Sequence, residues 1–98
     1  FFVDQSEITS IKALYKKIGS KFDLIVDDGL HSVYTNLNII LTSLSKLNKK
    51  GWLIIEDIGF EKKDIWKVIY FIMRNQYKCY LIKTKKNILI FALQNSKL

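Results

Sequence analysis

Two acidic pairs, Asp27-Asp28 and Glu56-Asp57, each close an apolar run, and the first continues as Gly29-Leu30-His31. In α/β proteins the parallel strands deliver their C-terminal ends to one rim of the sheet, where ligands bind. Four carboxylates and an imidazole gathered on such a rim could hold a hard divalent cation and move a proton. That rim is where the chemistry of this chain is expected.

The surrounding pattern predicts the elements that would place these groups. Ser6 reads as the N-cap of a helix through about Ile18, with Ile8, Ile11, Leu14, Tyr15 and Ile18 on one face and Gly19 at its stop. Phe22 to Val26 has no polar alternation and reads as a strand covered on both faces. A second helix is expected from about Ser32 to Leu47, carrying a stripe of Val33, Leu37, Ile40, Leu41, Leu44 and Leu47. Asn48 to Gly51 forms a turn into a buried strand, Trp52 to Ile55, that ends at Glu56-Asp57. Asp64 caps or begins a third helix through about Asn75, with Ile65, Ile69 and Ile72 inward. Tyr77 to Lys83 and Ile88 to Leu93 are strands joined only by Thr84 to Asn87, too few residues for a parallel crossover, so they must be antiparallel. The fold class is therefore α/β, a layered sheet ending in an antiparallel hairpin.

Composition narrows the function. At 98 residues the chain is one domain or part of one. A chain this short buries only roughly 60–65% of its unfolded surface. No apolar run is long enough to span a bilayer. The single cysteine, Cys79, excludes an internal disulfide and reads as a small core residue; it fits a reducing, cytoplasmic compartment. The net charge of +7 is carried almost wholly by lysine, with Arg74 the only arginine. The lysines are dispersed, in pairs at element ends such as Lys49-Lys50 and Lys85-Lys86, which reads as solvated surface and disfavours a nucleic-acid partner. Trp52 and Trp66 lie in apolar stretches and read as core. The opening Phe1-Phe2-Val3, running into Asp4-Gln5-Ser6, reads as the end of a strand already under way, so a preceding portion is expected.

Phe22-Asp23-Leu24-Ile25-Val26-Asp27-Asp28-Gly29-Leu30-His31, the turn Leu47 to Gly51 and the run Trp52 to Asp57 together resemble the macrocin O-methyltransferase group, with its rhamnosyl O-methyltransferase and cephalosporin hydroxylase-like relatives. Asp4-Gln5-Ser6 is similar to the segment closing their third strand, and the terminal hairpin to the last two strands of class I S-adenosylmethionine-dependent methyltransferases. Leu30 departs from the usual serine, and Lys50 precedes a single glycine where a pair is common. The family's first half, with its glycine-rich loop, has no counterpart.

The resemblance implies the C-terminal part of a Rossmann-like domain spanning residues 1–98, its sheet mostly parallel. It implies transfer of a methyl group from S-adenosylmethionine to a hydroxyl of a sugar or glycosylated small molecule. Asp28, Glu56 and Asp57 would hold Mg²⁺ or a similar cation, and His31 would take the acceptor's proton. Asp27 would stand in the cofactor-side wall, and Asp4, Gln5 and Ser6 near the adenine. Against each role stands a plainer one: acids at helix starts favour the dipole, His31 could bond to backbone, and Ser6 could act only as a cap. Two other readings remain open at this point. One is a non-catalytic module of the same fold that binds a protein or nucleic acid; the other is a receiver-type phosphoacceptor domain, which the hairpin argues against. By itself the chain is expected to bind the cofactor negligibly and to need the missing half or to self-associate along an unpaired edge.

Overall fold

The computed structural model describes residues 21–29 and 32–97. The helix expected from Ser6, the Asp4-Gln5-Ser6 segment and His31 lie outside the described residues. In chain order the elements are strand β1 (Phe22–Asp28), helix α1 (Val33–Ser43), strand β2 (Leu47–Gly59), helix α2 (Lys63–Met73), strand β3 (Tyr77–Lys83) and strand β4 (Ile88–Lys97). Short 3-10 turns, Leu44–Lys46 and Phe60–Lys62, lead into β2 and α2.

The strands form one sheet in the order β1-β2-β4-β3. β1 and β2 are parallel, while β4 runs antiparallel to both β2 and β3. Three strands thus point one way and β4 alone is reversed. The hairpin places its tip on the same rim as the C-terminal ends of β1 and β2.

Register divides the sheet into two unlike faces, because successive side chains point to opposite sides. Ile25, Leu53, Leu93 and Cys79 fall in one row, and Asp27, Ile55, Phe91 and Leu81 in the next. This face joins Ile39, Ile40, Trp66 and Ile69 of the helices in the core. Burying a side chain of this size stabilises by about 1.5–3 kcal/mol relative to exposure. The opposite face carries Leu24, Val26, Trp52, Ile54, Tyr80 and Ile82, of which Leu24 is 56% and Val26 50% exposed. Covering of β1 on both faces is therefore not what the described residues show: Leu24 and Val26 are as apolar as Ile25, yet among the described residues helices lie on one side of the strand only.

Two element boundaries also differ from expectation. The helix begins where expected, with Ser32 as its N-cap, the hydroxyl accepting from the Thr35 amide at 3.2 Å, but it stops at Ser43 and Leu47 already belongs to β2. The apolar spacing runs on past the helix because Leu44 and Leu47 pack on the same core after the chain has tightened into a 3-10 turn. Within α1, Ile39 is buried, whereas Leu41 is exposed. In α2 the inward stripe is Trp66, Ile69, Tyr70 and Met73, and Ile65 and Ile72 face outward. The rotation buries Trp66, whose ring packs 5.4 Å from Phe91; the largest apolar side chain sets the face. Trp52, by contrast, lies half-buried on the open side, 6.1 Å from Tyr80.

The turn expected at Asn48 to Gly51 is present as an excursion inside β2. Phe22 pairs with Leu47 and Leu24 with Trp52, so five steps of β2 pass opposite two of β1. Lys50 takes φ 65° there. A Cβ on Gly51 would lie 2.9–3.1 Å from the carbonyl oxygens of Asn48, Phe22 and Asp23, so only glycine fits.

Candidate functional site

The sequence places Asp27 and Asp28 side by side, and the pleat sends them to opposite faces. Asp27 is on the helix side, 6% exposed, where its Oδ2 accepts from Asn36 Nδ2 at 2.9 Å. The same Asn36 amide donates to the Asp28 carbonyl at 3.1 Å. Asp27, expected in a cofactor-side wall, has its carboxylate turned under α1, where it helps to fix the end of β1. Asn36 is fully buried and its Oδ1 has no partner among the described residues, a cost that offsets part of what the join contributes. Sequence reading passed over Asn36, although a polar residue at i, i+4 with Ile40 on a helix's inward side was a legible signal.

Asp28 faces the open side. Its register partner is Glu56 on β2, so the two carboxylates leave neighbouring strands on the same face. Directly after Asp28, the Gly29 amide donates to the Glu56 carbonyl. A Cβ there would sit 2.5 Å from Ile58 Cγ1 and 2.6 Å from the Glu56 oxygen. Glycine is required because the chain leaves the rim pressed against β2. Lys62 reaches the Gly29 carbonyl from the far side at 3.4 Å.

Glu56 and Asp57 do not simply end β2; they occupy a β-bulge. Ile55 pairs with Phe91 and Ile58 with Leu89, three steps against two, and Asp57 takes up the extra residue at φ 56°. Bulges re-aim side chains at sheet rims, and both acids are exposed. Beside them lies a cleft of about 430 Å³ lined by Glu56, Asp57, Thr84, Lys85, Lys86, Ile88 and Ile90.

The three-carboxylate centre of Asp28, Glu56 and Asp57 is not assembled. Among the described residues no three carboxylate, imidazole or thiol groups converge on a cation. The register pair Asp28 and Glu56 does fit the narrower requirement of Mg²⁺, which is held by one or two carboxylates and completes its shell with water and substrate oxygens. His31 falls between Gly29 and Ser32 in sequence, outside the described residues. Among the described residues no helix is long and apolar enough to cross a membrane.

No protein-family model matches the chain, and no curated protein matches it. Solved structures do. MycE methyltransferase from the mycinamycin biosynthetic pathway, in complex with Mg and SAH, aligns over 99% of this chain and 29% of its own, with a TM-score of 0.65 and 17% identity. An rRNA methylase from Streptococcus thermophilus aligns over 88% of this chain and 54% of its own, with a TM-score of 0.62 and 14% identity. A Streptococcus mutans structure in complex with SAH aligns over 89% and 57%, at a TM-score of 0.58 and 17% identity. The likeness at these identities is one of fold: the chain has the α/β fold of methyltransferases, including the reversed strand of the hairpin. It spans about half the length of two of these proteins and less than a third of the other.

Proposed function

We propose that the chain is the acceptor-side part of an S-adenosylmethionine-dependent O-methyltransferase acting on a hydroxyl of a sugar or sugar-bearing small molecule. The observation that carries this reading is the register pair Asp28 and Glu56 at the rim of a methyltransferase-type sheet. Bound S-adenosylmethionine supplies a methyl group made electrophilic by a sulfonium. The cofactor would be held by residues preceding β1, with Asp4, Gln5 and Ser6 at the adenine. Asp28 and Glu56 would hold a divalent cation, which supplies Lewis acidity toward an acceptor hydroxyl. His31 would accept that hydroxyl's proton, which would leave the oxygen nucleophilic toward the sulfonium methyl. Anchoring of Gly29 on β2 fixes where this segment leaves the rim, which serves orientation.

The test is methyl transfer by the parent protein to a panel of glycosides. His31→Ala should lower turnover by roughly 10²–10⁴ with cofactor affinity little changed, and the wild-type rate should fall on the acid side as the imidazole protonates. A flat acid limb, or a loss traced wholly to cofactor binding, would assign His31 a structural part. Cofactor-free binding of a macromolecule with no transfer to any hydroxyl would favour the non-catalytic module instead.

A further inference from the structure

The cleft beside Glu56 and Asp57 has a second wall of opposite sign. Its lysines sit at the corner of the hairpin turn, whose backbone is closed at both ends. The Thr84 amide donates to the Ile88 carbonyl at 2.8 Å, the Asn87 amide to the Thr84 carbonyl at 3.1 Å, and the Ile88 amide to Thr84 Oγ1 at 3.3 Å. Asn87 completes the turn at φ 57°. Lys85 and Lys86 are thereby the two exposed corner residues of a fixed turn. Lys83, just before it, is drawn to the other side of the sheet, where its ammonium lies 5.6 Å from the Phe60 ring centre. The turn lysines are those left to line the cleft.

A cleft lined by two lysines from the hairpin turn and two acids from the β2 bulge sorts a ligand by charge. An anion is repelled at the bulge and attracted at the turn, while a hydroxyl can donate to the carboxylates. The apolar floor of Ile88 and Ile90 suits the face of a sugar ring. About 430 Å³ falls in the range of small-molecule sites.

We infer that this cleft is a subsite for a phosphorylated sugar, with Lys85 and Lys86 binding the phosphate and the Glu56-Asp57 bulge facing the ring hydroxyls. The inference rests on the acceptor-side reading above and narrows it, since it requires the acceptor to carry an anionic group. A separate lysine cleft of about 400 Å³, lined by Lys21, Lys49 and Lys50, lies at the opposite end of the strands and has no carboxylate among its described lining residues. It provides an internal control for unselective anion binding.

The experiment is amide chemical-shift mapping of the parent protein at fixed ionic strength, without added cofactor. The probes are glucose 1-phosphate, methyl glucoside and a short single-stranded RNA. Glucose 1-phosphate should move the Thr84 to Ile88 and Glu56-Asp57 amides in a saturable way, and methyl glucoside should bind at least tenfold more weakly. Lys85→Gln with Lys86→Gln should weaken the sugar phosphate at least tenfold, while Lys49→Gln with Lys50→Gln should not. Equal binding of the neutral glycoside, unchanged binding by the turn variant, or shifts confined to Lys21, Lys49 and Lys50 would overturn the subsite. RNA binding across both clefts in preference to the sugar phosphate would overturn it as well. Because no methyl transfer is measured, a saturable subsite in a parent protein that fails to methylate would separate this inference from the catalytic one.

Discussion

The two faces of this sheet are built from the same kinds of residue and carry different burdens. On the helix side Leu53, Ile55, Phe91 and Leu93 are fully buried, and the one acid in that layer, Asp27, is bonded to Asn36. On the other side Leu24, Val26, Tyr80 and Ile82 are about half exposed, and the acids Asp28 and Glu56 stand at the rim. Adjacent aspartates thus stand in different surroundings, one holding a helix to a strand and one on the open face at the rim. The pleat alone makes that division.

The largest effect should come from breaking the covered face. Phe91→Ala removes the ring against Trp66 and should cost about 3–5 kcal/mol, enough to unfold most of a marginal domain. Val26→Ala, on the open face, should stay within about 1 kcal/mol. Urea midpoints of the two variants measure the contrast, and equal losses would mean that the open face is covered as tightly as the helix side.

Next in size is the join beneath the rim. Asn36→Ala removes the donor shared by the Asp27 carboxylate and the Asp28 carbonyl, and should cost roughly 1–3 kcal/mol. Urea midpoints of the variant and the wild type measure the loss, and a midpoint unchanged by the substitution would mean that the join carries none of the fold's stability.

Smaller again is the effect of the buried thiol. Burial pushes Cys79 up to about 11 from its ordinary value of 9.0. Its protonated form is favoured in the fold, so this contribution is complete below about pH 9 and is lost as pH rises through about 11. Alkylation by iodoacetamide at pH 8 should be slow in the folded chain and fast in urea. Rapid alkylation of the folded chain would place Cys79 outside the core. The least change in stability is expected of Val26→Lys on the open face; it should instead abolish any concentration-dependent rise in sedimentation coefficient, the self-association expected of an uncovered strand.

Much of this contrast was legible in the residues. Four joining residues dictated the antiparallel hairpin, and the two strands of that hairpin announced their places. Tyr77 to Lys83, with a lysine near each end, forms the edge, whereas Ile88 to Leu93 is apolar throughout and lies between β2 and β3. Other features depended on packing that a period cannot express. The α2 stripe could be drawn through Ile65 or Trp66, and only the fit against Phe91 decides. The opposite faces of Asp27 and Asp28 follow from the pleat, but the place of Asp57 was not legible, because the bulge there shifts the parity that period-two reasoning assumes. Lys85 and Lys86 read as solvated turn residues until the hairpin tip was seen beside the bulge.

The central claim is that Asp28 acts at the rim while Asp27 acts within the fold, and one paired measurement tests it. In the parent protein, methyl transfer and the unfolding midpoint are determined together for Asp28→Asn and Asp27→Asn, with and without a chelator. The account predicts that Asp28→Asn lowers transfer at least about 10²-fold, with a midpoint close to wild type. Asp27→Asn should lose stability first, retaining activity in proportion to the folded fraction. Undiminished transfer by Asp28→Asn in excess chelator, with the wild type equally indifferent to chelation, would contradict it.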